Sequence, residues 1–307
     1  MEQTTKMKAK KISEVLAEKK FTISVELVPP RNGNSPKEVY DCLEFLSGKI
    51  DFVSVTKGAG GSLRGGTLPL TYVAQEKYGL NAVAHFVCRE RSKPEIENDL
   101  TDLDYLGINN VLALRGDAPA GAKDEVWNGD YQYAYLLVDQ ISRMNKGLYL
   151  PTPTMKVLER SGLPTNFGII VAGHPEDPWE LEKEHLLCKI NAGAEVIITQ
   201  MIFSFEEYKN YVDNLRSAGI NLPVLAGVRP LVKLSQATSA EEFFKLKVAD
   251  ELKRGLKEFE TEELKSREFG LNYTVEMIRQ LKGYGCPGVH LFTLNDLALI
   301  KDLLGKI

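Results

Sequence analysis

One glutamate in this chain lies in surroundings that would change its acidity. Glu26 stands between Val25 and Leu27, and two prolines follow closely, so we expect its carboxyl group to be partly desolvated. Desolvation disfavours the ionised carboxylate and raises its pKa, which is the property that a general acid at neutral pH needs. A structural glutamate paired with Arg31 or with a lysine is the alternative interpretation. Glu26 is therefore the first candidate for proton-transfer chemistry.

Other polar side chains end or interrupt apolar runs. Asp117 follows Arg115 and Gly116 after the run VLAL, where an ordinary exposed loop aspartate is the alternative. Gln200 lies within an apolar run, and a buried amide needs hydrogen-bond partners, either a flat heterocyclic ligand or a group of the core. Polar residues occur at comparable places in the other runs: Thr56, His85, His174, Thr199, Arg229 and Asn295.

Several other kinds of chemistry have little support. The sequence shows no nucleophile elbow, and its serine, histidine and aspartate residues do not follow the chain order of a known catalytic triad. Hydrolysis is therefore disfavoured. The four cysteines form no CxxC pair, and neither they nor the four histidines show ligand spacing, so we predict no disulfide framework and no metal site. A barrel lyase is a third hypothesis, with Lys57 as its best Schiff-base lysine, although no glycine-rich phosphate loop follows the last two runs.

The elements that must position these residues repeat along the chain. Short runs rich in Val, Ile, Leu and Phe alternate with helical stretches, and most runs lack alternation, as strands covered on both faces do. No run is followed by GxGxxG, which disfavours a doubly wound dinucleotide fold. The pattern predicts an α/β fold, a single (β/α)₈ TIM barrel over residues 1–307. The predicted strands are residues 21–27, 52–59, 81–88, 109–117, 166–174, 195–203, 222–230 and 288–295.

Helix start signals and two long connections complete the pattern. Ser35 and Ser92 are predicted N-caps, each followed by a proline and an acidic residue in the first turn. Residues 145–165 lengthen the connection into the fifth strand, and residues 231–287, which are highly charged and helical in pattern, lengthen the connection into the eighth. Both segments are interpreted as extra structure or as interaction surfaces.

Composition excludes some partners. The net charge of −4 comes without a basic stripe, so nucleic acid is not an expected partner. No apolar run approaches the roughly 20 residues that a membrane span needs, and the polar, lysine-rich start of the chain has no apolar segment behind it. We therefore expect a cytoplasmic protein.

Six motifs, in order along the chain, resemble those of methylenetetrahydrofolate reductases. The most specific is VLALRGDAPAG (111–121), which is close to the family's ALRGDxPxG. Since the six matches run through residues 20 to 300, the chain is identified by resemblance as a member of this family. The other five motifs are VELVPPR (25–31), VSVTKGAGG (53–61), AHFVC (84–88), KINAGAEVIITQMIFS (189–204) and FTLN (292–295).

This resemblance implies a flavin-dependent oxidoreductase acting on a tetrahydrofolate substrate at the C-terminal mouth of a barrel. In the family that the chain resembles, hydride passes from reduced flavin N5 to the methylene carbon of 5,10-methylenetetrahydrofolate, giving 5-methyltetrahydrofolate. Glu26 matches the general acid that protonates N10, Asp117 matches an acid beside flavin and pterin, and Gln200 matches a pterin-contacting glutamine. Flavin-contacting positions of the family are matched by Thr56, His85, Arg115, Gly116, Asp117, Ala172 and Lys189.

Departures from the family's pattern concern how the flavin is held and reduced. His174, which we count among the cofactor-binding residues, stands where relatives place tyrosine, and Cys188 stands where they often place arginine. In relatives these positions hold the diphosphate and adenosine side of FAD. FMN, which lacks the adenosine, is therefore an alternative cofactor. Some family members work with a second, metal-binding protein, and family barrels often form homo-oligomers. The alternative function is thus a flavin- and folate-binding subunit that is active only with an electron-delivering partner and does not take electrons directly from NAD(P)H.

Overall fold

A closed ring of parallel strands forms the centre of the protein. The structure, a computed structural model, describes residues 9–58, 64–117, 128–151 and 159–307. Each ring strand hydrogen-bonds to two neighbours, in the order β1-β10-β9-β8-β7-β4-β3-β2, which confirms the predicted barrel. The strands are β1 (Thr22–Leu27), β2 (Phe52–Val55), β3 (Asn81–Val87), β4 (Asn110–Leu114), β7 (Gly168–Gly173), β8 (Val196–Ile202), β9 (Val224–Val228) and β10 (Gly288–Phe292); β5 (Leu148–Tyr149) and β6 (Arg160–Ser161) form a separate antiparallel pair.

Helices surround this ring and bury their apolar faces against it. In the described part of the chain no helix is both long enough and apolar enough to pass through a membrane. The helices are α1 (Ile12–Glu18), α2 (Lys37–Leu46), α3 (Thr67–Glu76), α4 (Lys93–Tyr105), α5 (Ala134–Asn145), α6 (Trp179–Ala192), α7 (Phe205–Ser217), α8 (Leu234–Phe243), α9 (Asp250–Glu258), α10 (Glu263–Tyr284) and α11 (Leu297–Leu304).

Local sequence signals account for the helix ends. The Ser92 hydroxyl accepts a hydrogen bond from the Glu95 N–H at 3.4 Å, and the Glu95 carboxylate accepts one from the Ser92 N–H at 2.8 Å, so this predicted N-cap is a capping box. At α2 the cap residue is Pro36, one position later than predicted, and the Ser35 hydroxyl accepts from the Lys37 N–H instead. The prediction was therefore correct to within one residue.

The N-terminal helix α1 closes the bottom of the barrel, a feature that the sequence did not predict. Asn110, at the start of β4, accepts from the Ile12 N–H at 2.9 Å and donates to the Lys10 carbonyl at 2.8 Å. These bonds hold Ile12 inside the ring, where it is fully buried. With it pack the inward apolar side chains of the lower barrel layer: Phe52, Val83, Leu112, Ile170, Val196, Ile198 and Leu225.

The two long connections begin at opposite ends of the barrel. The segment 145–165 joins a helix to a strand, so it lies at the N-terminal ends of the strands, where the buried Glu97 accepts from the Leu150 N–H and from Arg160, both at 2.6 Å. Residues 152–158 of this segment are outside the described ranges. The segment 231–287 contains α8, α9 and α10, and α8 follows β9 directly. The structure therefore places α8 and α9 near the C-terminal ends of the strands.

Candidate active site

The residues singled out from the sequence lie on consecutive strands of the ring. Strand β1 is followed around the barrel by β2, β3, β4, β7 and β8. At or just beyond the C-terminal ends of these strands, a region that we call the mouth, parallel strands bring side chains from distant sequence positions to one edge. In ring order the mouth carries Glu26, Thr56, His85, Asp117, His174 and Gln200.

Glu26 and His85 face each other in the mouth. Glu26 Oε2 lies 3.7 Å from His85 Nε2, and the two side chains are 13% and 7% exposed respectively. Burial raises the pKa of Glu26 to about 8 and lowers the pKa of His85 to about 3, because each group is better solvated in its charged form. Near neutral pH the contact therefore joins a protonated acid to a neutral imidazole. The structure places His85, rather than Arg31, against this carboxyl group.

Two threonines of the mouth have hydroxyl groups that are buried but unsatisfied. Within the described residues, Thr56 Oγ1, just after β2, and Thr293 Oγ1, just after β10, have no hydrogen-bond partner. A buried polar group left without a partner costs about 1–3 kcal/mol. A ligand with hydrogen-bonding edges would recover that free energy. The mouth therefore fits the flavin that the resemblance implies.

A glycine sets the direction of the chain after β4. Gly116 has a φ of +96°, and a Cβ there would lie 2.3 Å from Val87 Cγ1 on the neighbouring strand. Only glycine adopts this conformation without strain and also leaves room for Val87. Arg115 donates from Nε to the Gln132 carbonyl at 3.2 Å, and Asp117 is exposed to solvent. The close turn thus brings the Asp117 carboxylate to the surface of the mouth.

A histidine that follows the next strand, β7, and a buried lysine of α6 lie close together at the mouth. Lys189 of α6 donates to the Ala172 carbonyl at 2.9 Å. Burial lowers the pKa of Lys189, although the negative charges of Glu182 and Asp177 act to raise it. Burial alone would lower the pKa of His174, but a 3.0 Å hydrogen bond to Glu176 and the charge of that carboxylate raise it overall. The structure therefore brings together all three residues predicted here for cofactor binding, Ala172, His174 and Lys189.

Gln200 lies at an irregularity in β8. The pairing of β8 with β9 shifts register between Ile198 and Met201, as at a β-bulge, and bulges commonly redirect side chains near active sites. Gly227 of β9 permits this shift, because a Cβ there would lie 2.3 Å from the Thr199 carbonyl oxygen. The Gln200 side chain accepts from the Met201 N–H at 2.9 Å and is partly exposed. Its amide oxygen is therefore already engaged within the strand.

Sequence reasoning missed several polar residues that support the site. Ser24, Ser54 and His290 are almost fully buried inside the barrel, directly below Glu26 and His85. Alternation along a strand was the available signal, since it places Ser24 on the same face of β1 as Glu26. Glu182 was missed as well, although it is 1% exposed and accepts from the Tyr211 hydroxyl at 2.6 Å. No local pattern distinguished it from the other acids of α6.

Comparison with known families supports the resemblance that the six sequence motifs indicated. The family model described as methylenetetrahydrofolate reductase matches residues 11–307. The chain is 28% identical over 301 residues to methylenetetrahydrofolate reductase (NADH) 1 of Arabidopsis thaliana, covering 93% of this chain and 48% of that protein. It is 27% identical to the 5,10-methylenetetrahydrofolate reductase of Salmonella typhimurium, covering 90% of this chain and 86% of that one. The chain spans about half the length of the plant and yeast relatives it matches.

A solved structure shares the architecture. It is described as an uncharacterized protein from Clostridium thermocellum that binds two copies of 5-methyl-5,6,7,8-tetrahydrofolic acid. The likeness covers 96% of this chain and 99% of that one, with a TM-score of 0.57 and 13% sequence identity. At this identity the likeness shows a common fold.

Proposed function

We propose, on the premise that this chain belongs to the methylenetetrahydrofolate reductase family, that it reduces 5,10-methylenetetrahydrofolate to 5-methyltetrahydrofolate with Glu26 as general acid. The match over residues 11–307 confirms the family that the sequence motifs indicated. The observation that carries the proposal is a carboxyl group with a pKa raised to about 8, in the mouth of the barrel, beside a neutral imidazole.

The role of Glu26 follows from its protonation state. With a pKa of about 8 the carboxyl group is largely protonated at pH 7, so it has a proton to give. Opening the imidazolidine ring of the substrate leaves negative charge on N10 unless a proton arrives there, and Glu26 delivers that proton. A carboxyl group of ordinary pKa would be ionised at this pH and unable to act.

The cofactor in this proposal is a flavin, and the residues of the mouth suit it. When bound, a reduced flavin supplies a hydride to the methylene carbon of the substrate. The unsatisfied hydroxyl of Thr56 offers hydrogen bonds to a polar ring edge, and Lys189 offers a cation to a phosphate. The full set of residues proposed to hold it is Thr56, His85, Arg115, Gly116, Asp117, Ala172, His174 and Lys189.

Asp117 and Gln200 complete the substrate site in this proposal. Ring opening produces an iminium cation, and an exposed carboxylate at the mouth stabilises that positive charge. Asp117 has the position for this role. The Gln200 amide, which is fixed through its oxygen by the Met201 N–H, keeps its NH₂ group free to donate to a pterin ring.

Glu26→Gln tests the proposal, because it retains shape and a hydrogen-bonding end but has no acidic proton. We expect bound flavin and flavin reduction by an artificial donor to be unchanged, while folate reduction falls by roughly 10²–10⁴-fold, the usual contribution of a general acid. Glu44→Gln is the matched control, since it makes the same substitution at an exposed glutamate of α2 that lies outside the mouth, and we expect it to reduce folate at the wild-type rate. A Glu26→Gln variant that reduces folate at the wild-type rate would refute the role of Glu26.

One observation favours the alternative, in which the barrel works as a subunit that receives electrons from a partner protein. Phe243 and Phe244, at the end of α8, are 77% and 47% exposed, and α8 lies on the mouth side of the barrel. The 145–165 segment, at the opposite end, is poorly placed for electron delivery to the mouth. Purified protein that binds flavin and accepts electrons from dithionite, but not from NADH or NADPH, would support the partner-fed form. Full NADH-dependent activity of the chain alone would refute it.

A further inference from the structure

A chain of hydrogen bonds runs through the barrel interior below Glu26. His85 Nε2 lies 3.1 Å from Ser54 Oγ, and the same oxygen lies 3.0 Å from His290 Nε2. His290 Nδ1 lies 2.8 Å from Ser24 Oγ, and the Ser24 hydroxyl donates to the Val289 carbonyl at 3.0 Å. Both serines are fully buried and His290 is 1% exposed. The chain is therefore isolated from water below His85.

The directions of the bonds are assigned from the carbonyl at the end of the chain. The 3.0 Å contact makes the Ser24 hydroxyl a donor to the Val289 carbonyl, which only accepts, and with its proton directed there Ser24 accepts a hydrogen bond from His290 Nδ1–H. Burial, with a smaller contribution from neighbouring His85, lowers the pKa of His290 to about 3. The ring is therefore neutral, and its Nε2 carries a lone pair. Two rings hold it in place: Phe52 is stacked at 5.9 Å between ring centroids, and Phe292 meets it edge-on at 5.3 Å.

The same reasoning fixes the proton of His85. Because His290 Nε2 only accepts, the Ser54 hydroxyl donates to it and has no proton left for His85. Ser54 must therefore accept a hydrogen bond from His85, which requires a proton on His85 Nε2. This nitrogen is also the one that lies 3.7 Å from Glu26 Oε2. The nitrogen nearest the general acid is thus an N–H group and not a lone pair.

This tautomer matters for a neighbouring acid. A lone pair on His85 Nε2 would accept the proton of Glu26 in a hydrogen bond and compete with the substrate nitrogen for it. An N–H that donates to Ser54 offers no lone pair at this place, so it cannot take that proton and does not compete with the substrate nitrogen. We propose that His290 is a positioning residue which, through Ser54, holds His85 in the Nε2–H tautomer and so keeps the proton of Glu26 available for transfer. The part of this inference that concerns transfer rests on the proposed function.

Two substitutions of His290 separate this role from packing. His290→Phe keeps a flat ring but removes the acceptor, so the Ser54 proton becomes free to point at His85 and should shift His85 toward the Nδ1–H form. His290→Gln places an amide oxygen where Nε2 was and should restore the original direction. Because either variant could fail to fold, Ser54→Ala is the third variant, since it removes one oxygen atom and breaks the same link.

Nitrogen-15 NMR of histidine-labelled protein without substrate reports the tautomers directly, and the His85 signal is identified by its loss in His85→Gln. We expect Nε2–H for His85 in the wild type and in His290→Gln, and a shift away from it in His290→Phe and Ser54→Ala. His85 protonated on Nδ1 in the wild type, or unchanged in both His290→Phe and Ser54→Ala, would overturn the inference.

Rates of folate reduction give the second readout. We expect about a tenfold loss in His290→Phe, equivalent to about 1.4 kcal/mol, with most of the rate restored in His290→Gln. A tautomer shift without any loss of rate would overturn the claim that the tautomer protects the proton of Glu26. If the wild type has no folate-reducing activity while the tautomers are as expected, the proposed function fails and the hydrogen-bond assignment stands.

Discussion

The unusual acidity of Glu26 makes a prediction about stability that is independent of any enzyme assay. Its pKa is about 8 in the folded protein, against an ordinary value of 4.5. Between these values the folded chain holds a proton that the unfolded chain has released, so the contribution of Glu26 to stability is present below pH 4.5 and is lost as the pH rises to 8. The side chain is 13% exposed, so solvent screens this effect only slightly.

The size of the effect follows from the two pKa values. Their difference, 8 minus 4.5, is 3.5 units, and each unit corresponds to 1.36 kcal/mol, which gives about 5 kcal/mol between pH 4.5 and pH 8. In Glu26→Gln this titration is absent. We therefore expect the free energy of unfolding of the variant, relative to the wild type, to increase by about 1.4 kcal/mol per pH unit between pH 5 and pH 8.

Urea unfolding of both proteins, stripped of flavin, at half-unit steps from pH 4.5 to pH 9 measures this difference. His85 and His290, whose pKa values burial lowers to about 3, are neutral when folded and become protonated when unfolded. They destabilise the fold as the pH drops below 6.5, but they do so in both proteins, and the subtraction removes their contribution. A difference that stays constant from pH 5 to pH 8 would refute the raised pKa and, with it, the reason for assigning Glu26 as the acid.

Three further predictions address other parts of the structure. Gly116→Ala forces a Cβ to within 2.3 Å of Val87 at a φ of +96°; we expect at least tenfold weaker flavin binding by titration, and unchanged affinity would contradict the importance of this turn. Lys189→Met removes the proposed phosphate cation but keeps the length of the side chain, so flavin affinity should fall and become less sensitive to salt; an unaltered salt dependence would exclude a phosphate contact. Glu97→Ala breaks two hydrogen bonds to the 145–165 segment. We expect the free energy of unfolding to fall by about 3 kcal/mol and the segment to be cleaved faster by protease, while activity is retained. A loss of activity would show that this segment affects the mouth.

The sequence by itself determined the architecture and indicated most residues of the proposed site. Eight apolar runs without alternation predicted strands covered on both faces, and each was found within a few residues of its predicted place. Glu26 was identified as a desolvated acid because its apolar neighbours are adjacent in the chain. The family's motifs then indicated Asp117, Gln200 and the proposed cofactor residues, and the ring order brings those that lie on or just after strands to one edge of the barrel.

Only the tertiary structure decided which groups face each other across the barrel. Ser24, Ser54, His85 and His290 come from four strands that are far apart in sequence, and no local pattern records that their side chains meet. The same holds for α1 at the bottom of the barrel and for the end of the barrel at which each long connection begins. The physical reason is that hydrogen-bond direction and desolvation depend on neighbours in space, and closing the ring is what makes these residues neighbours.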